Sequence, residues 1–543
     1  MIALLEHLLI IPVLVPLLVG ALQVFLGERR GARIVLGIAS VLVQTAAALT
    51  LLYLTTDAMP DMWTEGVGVY ALGSWSAPFG IVLVVDRLSA LMLVLTSLVA
   101  LASLVYSLAY WDRVAPAFHS LFQFLLMGLN GAFLTGDLFN LFVFFEVLLA
   151  SSYGLLLHGS GVGRVKASLH YITVNLVASF LFLIGVAMIY GMTGTLNMAD
   201  LPGRIALLVP HDRALFESGA AILSVAFLIK AGAWPLNFWL PSTYVAASSP
   251  IGAVFSLLTK VGVYAVLRVG TVLASGNEQT SFIDVGLFYG GAATIVYAAA
   301  GMLASRQLGR IVSYCVVTST GLLFMALGLR IDALTGPVIL YLVSSVLATS
   351  AFFMVNGLAQ RTRTHRIREA ADIAPLPDDT YAGFDIRQAD PLSPKDEVGV
   401  AIPAAMAFLG LAFISCALLV AGLPPLSGFI AKFALLRAAA GHDADAGIGW
   451  YVWAFCAALL ATGVATMIAL TRGGLRLFWS SQGRTTPRLR VIEAGPAAFL
   501  ILLSLALTAG IGPVMTYLNS AARSLHSPDI YIRVVNGTRE AGP

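Results

Sequence analysis

The sequence predicts an all-α polytopic membrane protein with about 14 transmembrane helices. Hydrophobic residues make up 59% of the 543 residues, charged residues only 11%, and the mean hydropathy is +0.90. Runs of about 20 apolar residues, the length that crosses a hydrocarbon core about 30 Å thick, recur along the chain. Soluble domains carry about one-quarter charged residues, so this composition excludes a soluble enzyme, a secreted disulfide scaffold, a disordered chain and a nucleic-acid binder.

The apolar runs, bounded by charges, proline or glycine, predict the individual spans. They cover residues 4–26, 33–55, 80–109, 116–135, 137–157, 167–191, 217–240, 250–273, 285–304, 309–330, 335–359, 400–440, 450–478 and 491–518. The first run lacks the charged segment and cleavage site of a signal peptide, so we expect it to remain as a helix. The polar residues 360–399 predict a surface linker.

Two of the predicted helices are interrupted by proline. Pro235 falls in the seventh span and Pro241 directly follows it, whereas Pro424 and Pro425 fall in the twelfth, which is about twice the length needed to cross the membrane. Proline frees backbone carbonyls, which hydrocarbon tolerates only where protein or water satisfies them. An ordinary kink explains one such proline, whereas matched breaks that each lie near a lone lysine favour an inverted-repeat transporter.

Spans 4–8 and 9–13 are the predicted repeats, because an odd number of spans per repeat reverses its orientation. This interpretation divides the chain into four parts. They are an N-terminal three-helix segment (1–110), the first inverted repeat (111–273), the second inverted repeat with the cytoplasmic insert 360–399 (285–478), and a C-terminal helix and tail (491–543).

Basic residues predict the orientation, since they are retained on the cytoplasmic side. With the N-terminus outside, 19 of the loop Lys and Arg residues lie inside and 6 lie outside. We therefore expect both termini on the outer side of a bacterial-type inner membrane. Six cations remain within the spans: Arg87, Lys230, Lys260, Arg268, Lys432 and Arg437. The three arginines lie within reach of a helix end, where a long side chain extends to the interface.

The remaining buried charges predict the functional site. By a rise of about 1.5 Å per residue, Glu146, Lys230 and Lys260 lie roughly 15 Å into their helices. A charge at the bilayer centre costs about 2.5–3.5 kcal/mol, so these side chains should face protein, water or each other. The alternative is a Glu146–Lys230 ion pair that only specifies packing. Lysine, unlike arginine, can release its proton in a protein, and this choice favours proton transfer.

Three stretches resemble the D subunit of the multisubunit Mrp-type (Mnh or Pha) monovalent cation/proton antiporters. They are 135–155, which contains Gly136-Asp-Leu-Phe-Asn and Glu146; 227–264, which contains Lys230 and Lys260; and 422–433, which contains Gly422-Leu-Pro-Pro-Leu-Ser-Gly and Lys432. The resemblance extends from about the third span to the thirteenth. The wider superfamily includes the antiporter-like subunits of respiratory complex I and of membrane-bound hydrogenases.

The resemblance implies a role for each buried charge. Glu146 and Lys230 would form a coupling pair, Lys260 the central relay, and Lys432 the proton exchange site in the second half. It also implies a subunit of a hetero-oligomeric antiporter, a transporter rather than an enzyme, whose partners are other membrane subunits and whose ions are protons and Na⁺ or K⁺. We find no nucleotide-binding loop or cofactor ligands and no metal-ligand spacing among the cysteines and histidines, so we expect no cofactor and no metal.

The central path departs from the superfamily pattern. Complex I relatives tend to carry histidine where Tyr244 stands, and histidine and lysine in the eleventh span where this chain has hydroxyl residues. We expect Tyr244, Ser345 and Thr349 to hold ordered water in that path. The alternative is that such hydroxyls bond only to their own backbone.

Two histidines near the inner loop after the fifth span, His158 and His170, are candidates for proton uptake, although histidine at an interface is common. Asp137 is interpreted as the cap of the fifth helix. Two other functions stay open. One is the proton-pumping subunit of an NADH- or hydrogen-oxidising complex, and the other is a carrier or scaffold in which the lysines only hold helices together.

Overall fold

The computed structural model describes residues 7–27, 29–56, 63–75, 77–114, 117–159, 161–275, 281–371, 403–441, 449–478 and 489–537. These residues form 19 α-helices, a few short 3₁₀ turns and one two-stranded sheet. The predicted all-helical class is therefore confirmed, with a small β-hairpin added to it.

The first half of the chain contains α1 (Ile11–Phe25), α2 (Arg30–Leu54), β1 (Gly68–Ala71), β2 (Val82–Val85), α3 (Arg87–Ser107), α4 (Phe118–Leu134), α5 (Leu138–Leu157), α6 (Val162–Thr193), α7 (Leu201–Ala206), α8 (Pro210–Ala231), α9 (Trp239–Ala246) and α10 (Ser249–Ser275). The second half contains α11 (Ser281–Ala304), α12 (Leu308–Leu327), α13 (Asp332–Ala371), α14 (Pro403–Ala421), α15 (Ser427–Ala440), α16 (Gly449–Phe478), α17 (Val491–Ala509), α18 (Ile511–His526) and α19 (Asp529–Gly537).

Helices that are long and apolar enough to cross a membrane account for 13 of the fourteen predicted spans within the described ranges. The fourth predicted span corresponds to α4, a shorter apolar helix of 17 residues. Each of the fourteen predicted runs overlaps one of these helices. The protein is therefore a multi-pass membrane protein, and its seventh and twelfth spans are broken as predicted: α8 is separated from α9, and α14 from α15.

The third span starts later than predicted. Residues 82–85 form β2, which pairs antiparallel with β1, and α3 begins only at Arg87. Val82, Val84 and Val85 are β-branched, which favours a strand, and the Asp86 side chain caps α3 by accepting from the Ser89 N–H. The Gly136 N–H also donates a hydrogen bond of 3.0 Å to the Val82 carbonyl of this hairpin. We call this end of the molecule the hairpin face.

The predicted linker is wrong at its beginning, because α13 continues as a helix to Ala371. Residues 360–371 contain neither proline nor glycine, and eight of these twelve residues are good helix formers: four Arg, two Ala, one Gln and one Glu. The rest of the predicted insert, 372–399, lies outside the described residues.

Two central helices organise the bundle. The membrane-spanning part of α13 (Asp332–Gln360) is completely buried in its most apolar stretch, and that of α10 is 94% buried. In peripheral helices such as α6, α14 and α16, only 33–39% of the most apolar stretch is buried, as expected of lipid-facing helices. The two central helices also carry several of the predicted functional residues, so those residues lie in the interior.

Helices α11 and α12 cross at glycine residues. A Cβ atom on Gly291 would lie 2.5 Å from the backbone nitrogen of Met325 and 2.7 Å from the carbonyl oxygen of Gly321. Close backbone approach through small residues is a common way for membrane helices to associate. The crossing therefore leaves no room for even a methyl group at this position.

We predict that Gly291→Ala destabilises the protein by about 1–3 kcal/mol, the usual cost of overpacking. The matched control is Gly290→Ala on the same helix, where a Cβ atom meets nothing within 4 Å. Melting temperatures in detergent should fall for the first variant and stay level or rise for the second. Equal melting temperatures would contradict the close crossing.

Candidate functional site

The first helix break lies directly after Lys230. Helix α8 ends at Ala231, and Gly232 adopts a left-handed conformation with φ 75°, which ends helices readily because glycine has no Cβ atom. Pro235 lies in the gap, whereas Pro241 lies in the first turn of α9, where proline is tolerated. Lys230 therefore stands at the broken end of its helix.

The second break, between α14 and α15, contains Pro424 and Pro425 and begins at Gly422, with φ 78°. Lys432 extends from α15 back to the end of α14, where its Nζ donates to the carbonyl oxygens of Ala421 at 2.8 Å and Val420 at 3.3 Å. The last carbonyls of a helix have no partner within it and carry partial negative charge. The break therefore supplies the acceptors of this buried ammonium group.

A serine hydroxyl lies between Glu146 and Lys230. Ser179 on α6 donates a short hydrogen bond to Glu146 Oε1, and the Lys230 Nζ lies 3.5 Å from the Ser179 Oγ. The lysine ammonium also lies 5.2 Å from the centre of the Phe145 ring. Both charged side chains are half-buried. The structure thus brings this predicted pair together through a hydroxyl group that the sequence analysis missed.

Lys260 is 1% exposed, at the centre of the bundle on α10. Its Nζ donates to the hydroxyl groups of Ser319 at 2.6 Å and Thr320 at 3.2 Å on α12. Both acceptors are uncharged. The run Thr318-Ser319-Thr320 inside an apolar span was the signal in the sequence that would have identified them.

A small cavity of about 20 Å³ lies beside Lys432. Its wall includes Ser319, the acceptor of Lys260, and also Ser345 and Thr349. Such a volume, with several polar groups around it, is enough for about one water molecule. One side chain, Ser319, therefore contacts Lys260 and faces the cavity that Lys432 lines.

The three hydroxyl residues predicted to hold water have different positions. Ser345 and Thr349 line the cavity but donate to carbonyls of their own helix, Leu342 at 2.9 Å and Ser345 at 2.7 Å. Tyr244 is buried and donates to the Phe255 carbonyl at 2.5 Å, and it does not line that cavity. Water retention by these residues stays a prediction.

The two candidate histidines lie in contrasting surroundings. His158 is 6% exposed, and its Nε2 lies 2.7 Å from the Trp111 carbonyl oxygen. Burial lowers the pKa of this imidazole, although the hydrogen bond to the carbonyl opposes the shift. His170 is exposed on α6. Asp137 caps α5 as predicted, since its carboxylate accepts the N–H groups of Phe139 and Asn140.

The expectation that Arg268 reaches the membrane interface is wrong. It is 7% exposed and forms an ion pair with Asp86, with 2.5 Å between Nη2 and Oδ2. The side chain finds a carboxylate in the interior, because the turn that caps α3 places Asp86 beside α10. The sequence places these residues 182 positions apart, so no local pattern predicts their contact.

Comparisons with known proteins agree with one another. Residues 135–377 match the family described as NADH:quinone oxidoreductase/Mrp antiporter, transmembrane. The chain is 48% identical to the D subunit of a probable K⁺/H⁺ antiporter of Rhizobium meliloti, with 99% of both chains covered. It is 32% identical to the D subunit of the Na⁺/H⁺ antiporter of Alkalihalophilus pseudofirmus, with 98% of this chain and 99% of that one covered.

Solved structures show the same fold. A chain of the Mrp complex from Dietzia sp. superposes with a TM-score of 0.80 at 26% identity, and 98% of this chain and 100% of that one are covered. A chain of respiratory complex I from Thermus thermophilus has a TM-score of 0.71 at 23% identity, with 96% and 99% covered.

We predict that Ser179→Ala destabilises the protein by about 1.5–3 kcal/mol, because it removes a hydrogen bond to the carboxylate of Glu146. Ser224→Ala is the matched control, since that hydroxyl donates to the Ala220 carbonyl of its own helix; we expect a change within about 0.5 kcal/mol. Thermal unfolding in detergent measures both. A stable Ser179→Ala variant would argue against the bridge.

Proposed function

The chain belongs to the family of D subunits of Mrp-type monovalent cation/proton antiporters, and from this premise we propose that it moves protons through Glu146, Lys230, Lys260 and Lys432. The family is one of transporters rather than enzymes. In the proposed relay, neutralising Glu146 weakens its hold on the proton of Lys230, which passes to Lys260 and then to Lys432.

The surroundings of the lysines support a relay. Lys260 and Lys432 donate only to hydroxyl and carbonyl oxygens in the contacts described above. Neutral oxygens stabilise an ammonium group less than a carboxylate does, and burial disfavours the charged form of lysine. A lysine held in this way can give up its proton, whereas an arginine cannot.

The position of Ser319 is the observation on which the proposal mainly rests. Its hydroxyl contacts Lys260 at 2.6 Å and faces the cavity lined by Lys432. A hydroxyl is both donor and acceptor, so one water in the cavity would complete a hydrogen-bonded path between the two lysines. Lys260 is also close to the helix that carries Lys230. Gly262, two residues after Lys260 on α10, packs against the backbone of Phe227 and Ala231 on α8, next to Lys230.

We also propose that the chain works within a complex. Similar chains are named as antiporter subunits, and one is part of a solved Mrp complex. Other membrane subunits are then the partners of this chain, and Na⁺ or K⁺ is the ion exchanged for protons. The distribution of basic residues supports a location in the cell membrane with both termini outside.

We predict that Lys260→Arg abolishes cation-driven proton exchange while leaving the subunit in the membrane. The guanidinium keeps the positive charge but does not release a proton. The measurement is the collapse of a pH gradient by added Na⁺ or K⁺ in vesicles that contain the complete complex.

Lys166→Arg is the matched control, because Lys166 is exposed at the beginning of α6. We expect this variant to exchange normally. Full exchange by Lys260→Arg would show that a fixed charge suffices and would contradict the relay.

We further predict that Lys230→Ala and Glu146→Gln lose exchange but remain at normal levels in the membrane. Immunoblots of membranes provide the second readout. If the charges only hold helices together, the amount of protein should fall and the exchange per subunit should stay constant.

A further inference from the structure

We infer that Asp86 and Arg268 form an ion-pair barrier that separates Lys260 from water at the hairpin face. The inference rests on the proposed function, since a barrier matters only if Lys260 carries protons. It assigns a role to two charged residues outside the proposed relay.

Both side chains of the pair are buried among other residues. Asp86 is 4% exposed, and its other carboxylate oxygen accepts the Ser89 N–H at 2.9 Å. The Arg268 guanidinium lies 5.7 Å from the centre of the Tyr264 ring and 5.5 Å from that of Tyr531. The carboxylate is fixed as a helix cap, and the guanidinium is held between two aromatic rings.

The arginine lies in line with Lys260. Lys260, Tyr264 and Arg268 are spaced four residues apart on α10 and therefore share a face of the helix. At about 1.5 Å per residue, Arg268 lies roughly 12 Å from Lys260 in the direction of the hairpin face. The Tyr264 hydroxyl between them donates to the Phe133 carbonyl at 2.7 Å. A proton leaving Lys260 along this face meets the Tyr264 hydroxyl and then the guanidinium of Arg268.

The C-terminal helices cover the pair. Tyr531, on α19, is 5% exposed, and its ring packs over Arg268. Tyr517, on α18, donates to the Arg87 carbonyl at 2.8 Å, one residue after Asp86. These contacts close the end of α10 against water.

A larger cavity of about 290 Å³, with Asp284, Arg330 and His526 in its wall, does not provide a polar bypass. Where it meets α10, its wall is mainly apolar and includes Val266, Leu267 and Val269. Aliphatic side chains cannot carry a proton. The polar groups on the Lys260 face of α10 lead instead to the ion pair.

The chemistry of the pair suits a barrier. A guanidinium does not lose its proton in a protein, so it cannot serve as a relay. A fixed positive charge in a narrow path repels protons and cations, as arginine does in selective channels. The carboxylate beside the guanidinium stabilises this charge in the interior and, because it is paired, does not offer a free base.

The test is the passive proton leak of vesicles that contain the complete complex, measured without Na⁺ or K⁺. We expect Arg268→Gln to raise the leak severalfold. Asp86→Asn keeps the helix cap and leaves the guanidinium of Arg268 positively charged, so this variant should not raise the leak. The matched control is Arg330→Gln, whose partner Asp284 lies 3.3 Å away in an ion pair that is nearly half exposed on the arginine side. This control should leave the leak unchanged.

Two further variants keep the inference falsifiable. Arg268→Gln combined with Lys260→Ala should return the leak to the wild-type level, because the leak would pass through Lys260. If Arg268→Gln fails to insert, Tyr531→Leu serves instead: it uncovers the pair without removing a charge, and we expect its leak to exceed that of the wild type. A wild-type leak in Arg268→Gln at a normal protein level, or a raised leak that persists when Lys260→Ala is added to Arg268→Gln, would overturn the barrier. Cation-driven exchange, measured separately with Lys260→Arg, tests the relay itself.

Discussion

A buried ammonium group needs oxygen atoms from the protein, and this requirement underlies the structure around all three lysines. Hydrocarbon offers no hydrogen-bond partner, so each lysine lies where a helix break or a hydroxyl residue provides one. Lys432 is bound by carbonyls at the end of α14, and Lys260 by hydroxyl groups of α12. The positions of the breaks and of the serine and threonine residues therefore follow from the charges that they have to satisfy.

The two breaks meet this requirement in different ways. Both begin at a glycine in the left-handed conformation, Gly232 and Gly422. Lys230 precedes its break and extends towards Ser179 on α6, whereas Lys432 follows its break and extends back to the preceding half-helix. A side chain at Gly422 would collide with Lys432. The predicted correspondence of the two repeats fits these local similarities and stays a prediction.

The three lysines of the proposed relay and Arg268 have different partners. The contacts of Lys260 and Lys432 are with neutral oxygens, and Lys230 contacts Glu146 through a hydroxyl, while Arg268 has a carboxylate directly beside it. A direct ion pair stabilises a permanent charge, and a neutral acceptor leaves the charge easier to lose. The residues proposed to exchange protons and those proposed to block them thus differ in both chemistry and surroundings.

The sequence by itself determined the membrane class, thirteen of the fourteen membrane-length helices, the two broken helices and the lysines within the spans, because burial in lipid imposes length, apolarity and proline patterns that are local in the chain. Only the tertiary structure decided which groups meet: Ser179 with Glu146, Ser319 with Lys260, and Asp86 with Arg268. It also revealed the strand at 82–85 and the longer α13. Such contacts join residues far apart in sequence, and they depend on how helices pack, which no local pattern records.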